Sequence, residues 1–395
     1  MQSISPIQQL PTAPEFLANP YAFYDRARAL GDFVFWEDYQ MVMATSYEAV
    51  NAVLSHSALG REPPMKARST RPAHLFTYHS IDDHSLLQLE APEHTRLRKT
   101  AVAALSDEII LSMTLTISQI CDDLISAFPN DAAFDLQSAY ADKVPGITLM
   151  RLLGFGDDMH MQFQEWARDV DGLFLAKRDR SLEDAAEQAS VAFNGFMTLH
   201  LAKVRNRSSS DDFITRVLKS QKTLDDAEII ALVMLIVQAG TGTAAYAIGH
   251  ALEILADHPE RALALAPDQI AATVSECLRY EPPLHVIARH AQDDVALLGH
   301  LFPRDTQIGC LTASACHDDA VWPDGNKFDP FRAVRPHLGF GKGAHACIGN
   351  ALTHLIMKIA LPALFSRCPE LRIVSKPRIA NEYMFRRFER LDVCI

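Results

Sequence analysis

The ten residues Phe340-Gly341-Lys342-Gly343-Ala344-His345-Ala346-Cys347-Ile348-Gly349 carry the strongest chemical signal in the chain. Three of them are glycine, which lets a backbone turn tightly and come close to a flat ligand. A helical pattern starts at Cys347. Its thiol therefore stands at a helix N-terminus, where aligned N–H groups are expected to lower the pKa and favour the thiolate. An electron-donating thiolate is the ligand that a haem iron needs if an O–O bond is to be cleaved. Read without its neighbours, Cys347 would be a small buried hydrophobe, the usual place of a lone cysteine. A structural zinc site needs about four clustered ligands, and the loop offers only His345 and Cys347.

Three other groupings have spacings that matter. Glu276 and Arg279 lie at i, i+3 on a helical pattern and can pair; alone, such a pair reads as a surface ion pair of little energetic weight. His94 and Arg98, in Pro92-Glu93-His94-Thr95-Arg96-Leu97-Arg98, lie at i, i+4, a spacing that can grip a carboxylate through charge-assisted bonds; the plain alternative is a solvated basic face. Ala239-Gly240-Thr241-Gly242-Thr243 places four poor helix formers in the middle of a long apolar helix, at about 2–3 kcal/mol relative to alanine. Such a violation of a local rule marks either close helix packing or a functional site.

Together these strings resemble the cytochrome P450 family, bacterial soluble type, whose haem loop reads F-G-x-G-x-H-x-C-x-G. The resemblance runs from the helix near Pro20 to the C-terminal strand, with the motifs in the family's order. It implies haem b (iron protoporphyrin IX) ligated by Cys347, with propionate contacts from His94, Arg98, His345 and Arg289. Further haem contacts are implied for Phe340, Gly349, Ala239 and Gly240. Glu276 and Arg279 match the family's E-x-x-R pair. Trp322-Pro323 and Phe328-Asp329-Pro330-Phe331-Arg332 resemble the segment that meets it, with Arg332 as third member. Residues 239–243 match the family's [AG]-G-x-[DE]-T, which gives Thr243 the oxygen-activating role. Gly242 departs from the pattern, because an acid that helps relay protons usually stands there. Proton delivery would then run through Thr243, Thr241 and water, or through another side chain.

The elements that must position these residues are mostly helices. A 3.6-residue period predicts helices over 20–30, 47–54, 92–104, 107–127, 157–174, 182–205, 211–219, 224–257, 259–265, 267–280 and 347–368. Short strands are predicted over 33–36, 40–44, 286–291, 306–311 and 390–395. The expected architecture is mainly α with a small β portion, the cytochrome P450 fold, in one domain over 1–395. A long central helix crosses it, about 50 Å by its rise per residue. Thr223 reads as its N-cap, with Asp226 in the first turn, and its glycines and threonines predict a kink with freed carbonyls.

Composition sets the outer limits. The 395 residues are 48% hydrophobic and 22% charged, with a formal net charge of -12; that balance argues against nucleic-acid binding. Seven cysteines without a CxxC exclude a disulfide framework and a thioether-linked haem. The N-terminus lacks a signal-peptide pattern, and the apolar run 229–239 is too short for a bilayer. These features predict a cytoplasmic monomer, without membrane or nucleic-acid partners.

The resemblance implies a monooxygenase that uses O2, with electrons from ferredoxin and ferredoxin reductase. Arg96, Lys99, Arg335 and Lys342 form the basic face such a partner would meet. Pocket walls fall by analogy at 61–87, 163–174, 192–201, 233–240, 284–287 and 384–385, with His285, Gln238 and Thr77 as polar anchors; they suit a small or medium apolar substrate. Gly242 supports one alternative, a peroxide-driven or redox-partner-independent haem-thiolate enzyme. A non-catalytic haem sensor is the other.

Overall fold

The computed structural model describes residues 3–64, 71–129, 132–175, 178–206, 211–220 and 224–395. Six short strands build one sheet: Ser5–Ile7 (β1), Phe33–Trp36 (β2), Met41–Ala44 (β3), Leu59–Gly60 (β4), Val286–Ala291 (β5) and Gln307–Leu311 (β6), in the order β1-β2-β3-β6-β5-β4. The β2–β3 hairpin is antiparallel, β3 runs parallel to β6, and Arg289 of β5 faces Ile308 of β6. Side chains alternate across the strands. Phe33, Ala44 and Ile308 therefore pack into one small core, and Val34, Trp36 and Met43 into another on the opposite face.

The helices that frame the site are Glu93–Ala104 (α1), Lys143–Leu153 (α2), His160–Asp171 (α3), Arg180–Val204 (α4), Asp226–Ala256 (α5), Ile270–Tyr280 (α6) and Asn350–Arg367 (α7). The central one is α5, packed by α2, α3, α4, α6 and α7. Its 31 residues span about 46 Å at the α-helical rise. It starts with a capping box: the Asp225 side chain accepts from the Glu228 N–H, and Glu228 reaches back to the Asp225 N–H. This replaces the expected cap at Thr223, which lies outside the described residues. By length and apolarity α5 would pass for a membrane span, but most of its apolar stretch is buried inside the protein.

Several sequence boundaries shift. The helix expected over 107–127 divides into Asp107–Ser112 and Thr114–Ser126, and that expected over 157–174 is a helix between two 3-10 turns. The strand expected over 390–395 is Asp392–Cys394, with Phe388–Arg390 a separate strand. Helix α2 has no counterpart among the predicted elements. Its opening Lys-Val-Pro-Gly hides it, although proline is tolerated in a first turn.

Candidate active site

The cysteine loop is held by its own backbone. The Gly341 N–H donates to the Leu338 carbonyl at 2.9 Å and the Cys347 N–H to the Phe340 carbonyl at 2.9 Å. Gly341 (φ 66°) and Gly343 (φ 75°) take left-handed conformations open to glycine. A Cβ on Gly343 would also sit 2.5 Å from the Leu54 carbonyl oxygen. Helix α7 begins at Asn350, so Cys347 lies just upstream of the helix rather than in its first turn. Its sulfur still accepts from the Gly349 and Asn350 N–H groups. Burial pushes the thiol pKa up by more than those bonds and the Arg98 charge pull it down. The lowered pKa expected from the helix terminus is therefore not realised by the protein's own groups. Cys347 is the one exposed cysteine of the seven, although protein packs closely around its thiol.

A cluster of basic groups lies beside the loop. Arg98 of α1 donates to the Ala346 carbonyl at 2.5 Å. The His94 and His345 rings lie against each other at a 42° tilt, with centroids 4.2 Å apart. His94 is 3% exposed, and its Nε2 is buried without a partner among the described residues. Arg289 is 2% exposed, and its guanidinium donates to the Ala288 carbonyl at 3.0 Å. Arg61 donates to the same carbonyl and to that of Leu87. Burial, then the Arg289 charge, lowers the Arg61 pKa to about 10, and burial with the His345 and Arg98 charges lowers His94 to about 4.

One carboxylate, Glu90, sits among these cations. It bonds His345 Nε2 at 3.0 Å and accepts from the Arg61 N–H. Burial alone would raise its pKa, but those two bonds and the neighbouring charges bring it down to about 2. The motif reading gave no role to Glu90, and it placed Arg61 only on a pocket wall. Neither belongs to a spacing pattern; only the fold brings the 61, 90, 289 and 345 positions together.

These residues fit an iron porphyrin. The sulfur of an exposed cysteine accepts from two N–H donors. A Cβ on Gly349 would lie 3.7 Å from that sulfur, so the glycine stands in direct contact with it. Buried cations and an orphaned imidazole nitrogen stand alongside, ready for carboxylates, as Glu90 demonstrates.

Residues 239–243 keep helical structure throughout. Both threonine hydroxyls bond back into the helix: Thr241 donates to the Val237 carbonyl at 2.8 Å, and Thr243 to that of Ala239. Gly240 admits the Leu149 side chain of α2, whose Cδ1 would lie 2.8 Å from a Cβ. Ala239 is exposed and Thr243 half-buried, whereas Thr241 and Gly242 are buried.

Glu276 and Arg279 form a buried, two-pronged ion pair at 2.7 and 2.8 Å, and Arg332 joins Glu276 at 3.2 Å. Arg279 also donates to the Cys316 and Gly325 carbonyls. The pair is thus not the surface bridge that its spacing alone would suggest.

Other expected contacts are committed elsewhere. His285 Nδ1 meets the Tyr24 hydroxyl at 2.7 Å, and Gln238 donates to Asp171 at 2.9 Å. The Thr77 backbone N–H donates to Glu187, a bond that does not involve its hydroxyl. Arg96 is paired with Glu228 rather than free for a partner. Of the expected wall at 61–87, residues 65–70 lie outside the described ones.

Comparison with known proteins agrees with this geometry. The family model for cytochrome P450 matches residues 154–266 and 270–382, more than half of the chain. The chain is 28% identical over 390 residues to the biotin biosynthesis cytochrome P450 of Bacillus subtilis, covering 96% of this chain and 97% of that one. It is 31% identical to cytochrome P450 107B1 of Saccharopolyspora erythraea over 318 residues, 78% of this chain and 76% of the other. Among solved structures, P450BioI in complex with hexadec-9Z-enoic acid ligated acyl carrier protein matches with a TM-score of 0.91 at 27% identity, covering 97% of this chain and 100% of that one.

Proposed function

The chain belongs to the cytochrome P450 family of haem-thiolate monooxygenases, and from that premise we propose that Cys347 is its iron ligand and that an apolar organic molecule is its substrate. When bound, haem b supplies the redox centre at which O2 is activated. The cysteine loop would hold the thiolate for the iron, with the Gly349 and Asn350 N–H groups steadying its charge. His94, Arg98, Arg289 and His345 would hold the two propionates, beside the contact that Glu90 makes with His345. Phe340, Gly349, Ala239 and Gly240 would contact the bound group. Thr243 turns its hydroxyl to hold a water and pass protons, with Thr241 on the neighbouring face. The observation that carries this reading is the exposed Cys347, its sulfur N–H-bonded, beside a buried cation cluster.

The reading includes a cytoplasmic enzyme fed by a ferredoxin-type donor at the face of Lys99, Arg335 and Lys342. The similarity to P450BioI makes carrier-bound and free fatty acyl chains the first substrates to try. The test is turnover with NADH, ferredoxin reductase and ferredoxin under isotopically labelled O2. One labelled oxygen atom in the product is the expected result. Charge reversal at Lys342 and Arg335 that leaves electron transfer unchanged would remove the proposed docking face. Faster turnover with hydrogen peroxide and no donor would favour the peroxide-driven reading that Gly242 raises.

A further inference from the structure

The site raises one question that its motifs leave open: what replaces the acid at Gly242. A Cβ on Gly242 would lie 2.9 Å from the Tyr246 hydroxyl oxygen, so this phenol occupies the space that a side chain at 242 would enter. Helical side chains lean toward the N-terminus, and Tyr246 is one turn on from Gly242, so the placement follows from the sequence interval. At about 100° per residue, Tyr246 falls between the face of Gly242 and the face of Ala239 and Thr243.

Behind Gly242 lies a cavity of about 240 Å³ between α5, α3 and the C-terminal segment. Thr241, Gly242 and Tyr246 line it from α5, and Arg168 and Asp171 from α3. It is roomy enough for several waters, at about 30 Å³ each, and has the polar partners that they need. Asp171 is anchored by the Gln238 amide of α5 at 2.9 Å.

We propose, resting on the monooxygenase reading, that Asp171 and Tyr246, joined by water in this cavity, are the proton route that stands in for the missing acid. The Asp171 carboxyl gives its proton to water, water gives one to the Tyr246 hydroxyl, and Tyr246 passes its own toward Thr243; Asp171 is then reprotonated from solvent through the cavity. Each turnover draws two protons this way and two electrons from the ferredoxin-type donor. One oxygen atom of O2 goes to product and the other to water.

The electrostatics agree. Burial raises the Asp171 pKa to about 7, with Glu382 adding to the rise and Gln238, Arg168 and Arg387 opposing it. A carboxyl there exchanges protons at neutral pH. Asp142 and Glu389 also line the cavity, and Tyr78 senses the Asp171 charge. Burial, then the Asp171 charge, pushes the Tyr246 pKa above its ordinary value, so Tyr246 relays a proton without resting as an anion.

The test compares holoenzymes carrying Tyr246→Phe, Asp171→Asn and Gly242→Asp with Tyr246→Phe, each first shown to give the reduced, CO-bound spectrum of the parent. Product per NADH should fall several-fold, with peroxide release rising, in the two single variants, and should recover in the double variant. Independently of turnover, the resting protein should show a carboxylic-acid infrared band that titrates near neutral pH, vanishes in Asp171→Asn and shifts in Tyr246→Phe. The proposal is overturned by coupling in Tyr246→Phe within twofold of the parent, by no recovery in the double variant, or by a band that titrates as an ordinary carboxyl. Failure of the monooxygenase reading looks different: the parent itself would yield no oxygenated product.

Discussion

Replacing Glu276 with glutamine removes one charge from the centre of the buried ion pair. Glu276 is 4% exposed and Arg279 1%. Oε1 of Glu276 accepts from Arg279, Arg332 and the Asp329 N–H, and Oε2 accepts from Arg279 Nε. Glutamine can keep the first set through its carbonyl oxygen, but its amide then points donors at Arg279 Nε. Removing one partner of a buried pair costs about 3–5 kcal/mol, and the retained oxygen puts Glu276→Gln near ~3 kcal/mol. At ~2 °C per kcal/mol for a large domain, Tm should drop by about 6 °C. Arg180→Ala is the control. Arg180 and Asp184 lie 2.7 Å apart, but they are 64% and 46% exposed, and such pairs are worth about 0.2–1 kcal/mol. Thermal and urea unfolding of the holoenzymes, followed by circular dichroism and haem absorbance, measure both. If Glu276→Gln loses no more stability than Arg180→Ala, the account of the buried pair is wrong.

Three further outcomes are expected. Arg98→Ala should lose a charge-assisted propionate contact worth ~1.5–3 kcal/mol, raising the haem dissociation constant about ten- to hundredfold, as read by haem transfer to apomyoglobin; unchanged transfer rates would contradict it. Gly343→Ala should cost at least ~1–2 kcal/mol from its left-handed backbone alone, before the clash with the Leu54 carbonyl, and should appear as poor haem retention. Asp171 carries a pKa raised from 3.8 to about 7. A raised folded-state pKa contributes stability that is present below the unfolded value and lost as pH rises to the folded one. The stability gap in favour of Asp171→Asn should therefore widen between pH ~4 and ~7 and then level off; a gap independent of pH would show an ordinary carboxyl.

Much of the site was legible because its residues sit at short, fixed intervals. The cysteine loop, the Glu276/Arg279 pair and the His94/Arg98 pair each occupy one turn or one loop, where spacing alone fixes a shared face. The hairpin strands Phe33–Trp36 and Met41–Ala44 were legible for a similar reason, since apolar β-formers leave few alternatives. Features set by long-range packing were not. Glu90 meets His345 across 255 positions, and no local pattern announces that contact. The pKa of Cys347 was misjudged because a helix terminus is a local feature whereas burial depends on the whole fold. Helix α5 runs unbroken through Gly240 and Gly242, and side chains fill the space beside each: Leu149 at one and Tyr246 at the other. Tyr246 was visible as an i+4 partner of Gly242, but only the cavity behind it gives that interval a meaning.

The central claim is that Cys347 donates a thiolate to haem iron, and the absorption spectrum of the reduced, CO-bound protein tests it most directly. The account predicts the strongly red-shifted Soret band of thiolate-ligated haem in the parent and its loss in Cys347→Ala, with haem still taken up by His94, Arg98 and Arg289. A parent spectrum of the imidazole-ligated type, or a red-shifted band that survives in Cys347→Ala, would contradict it.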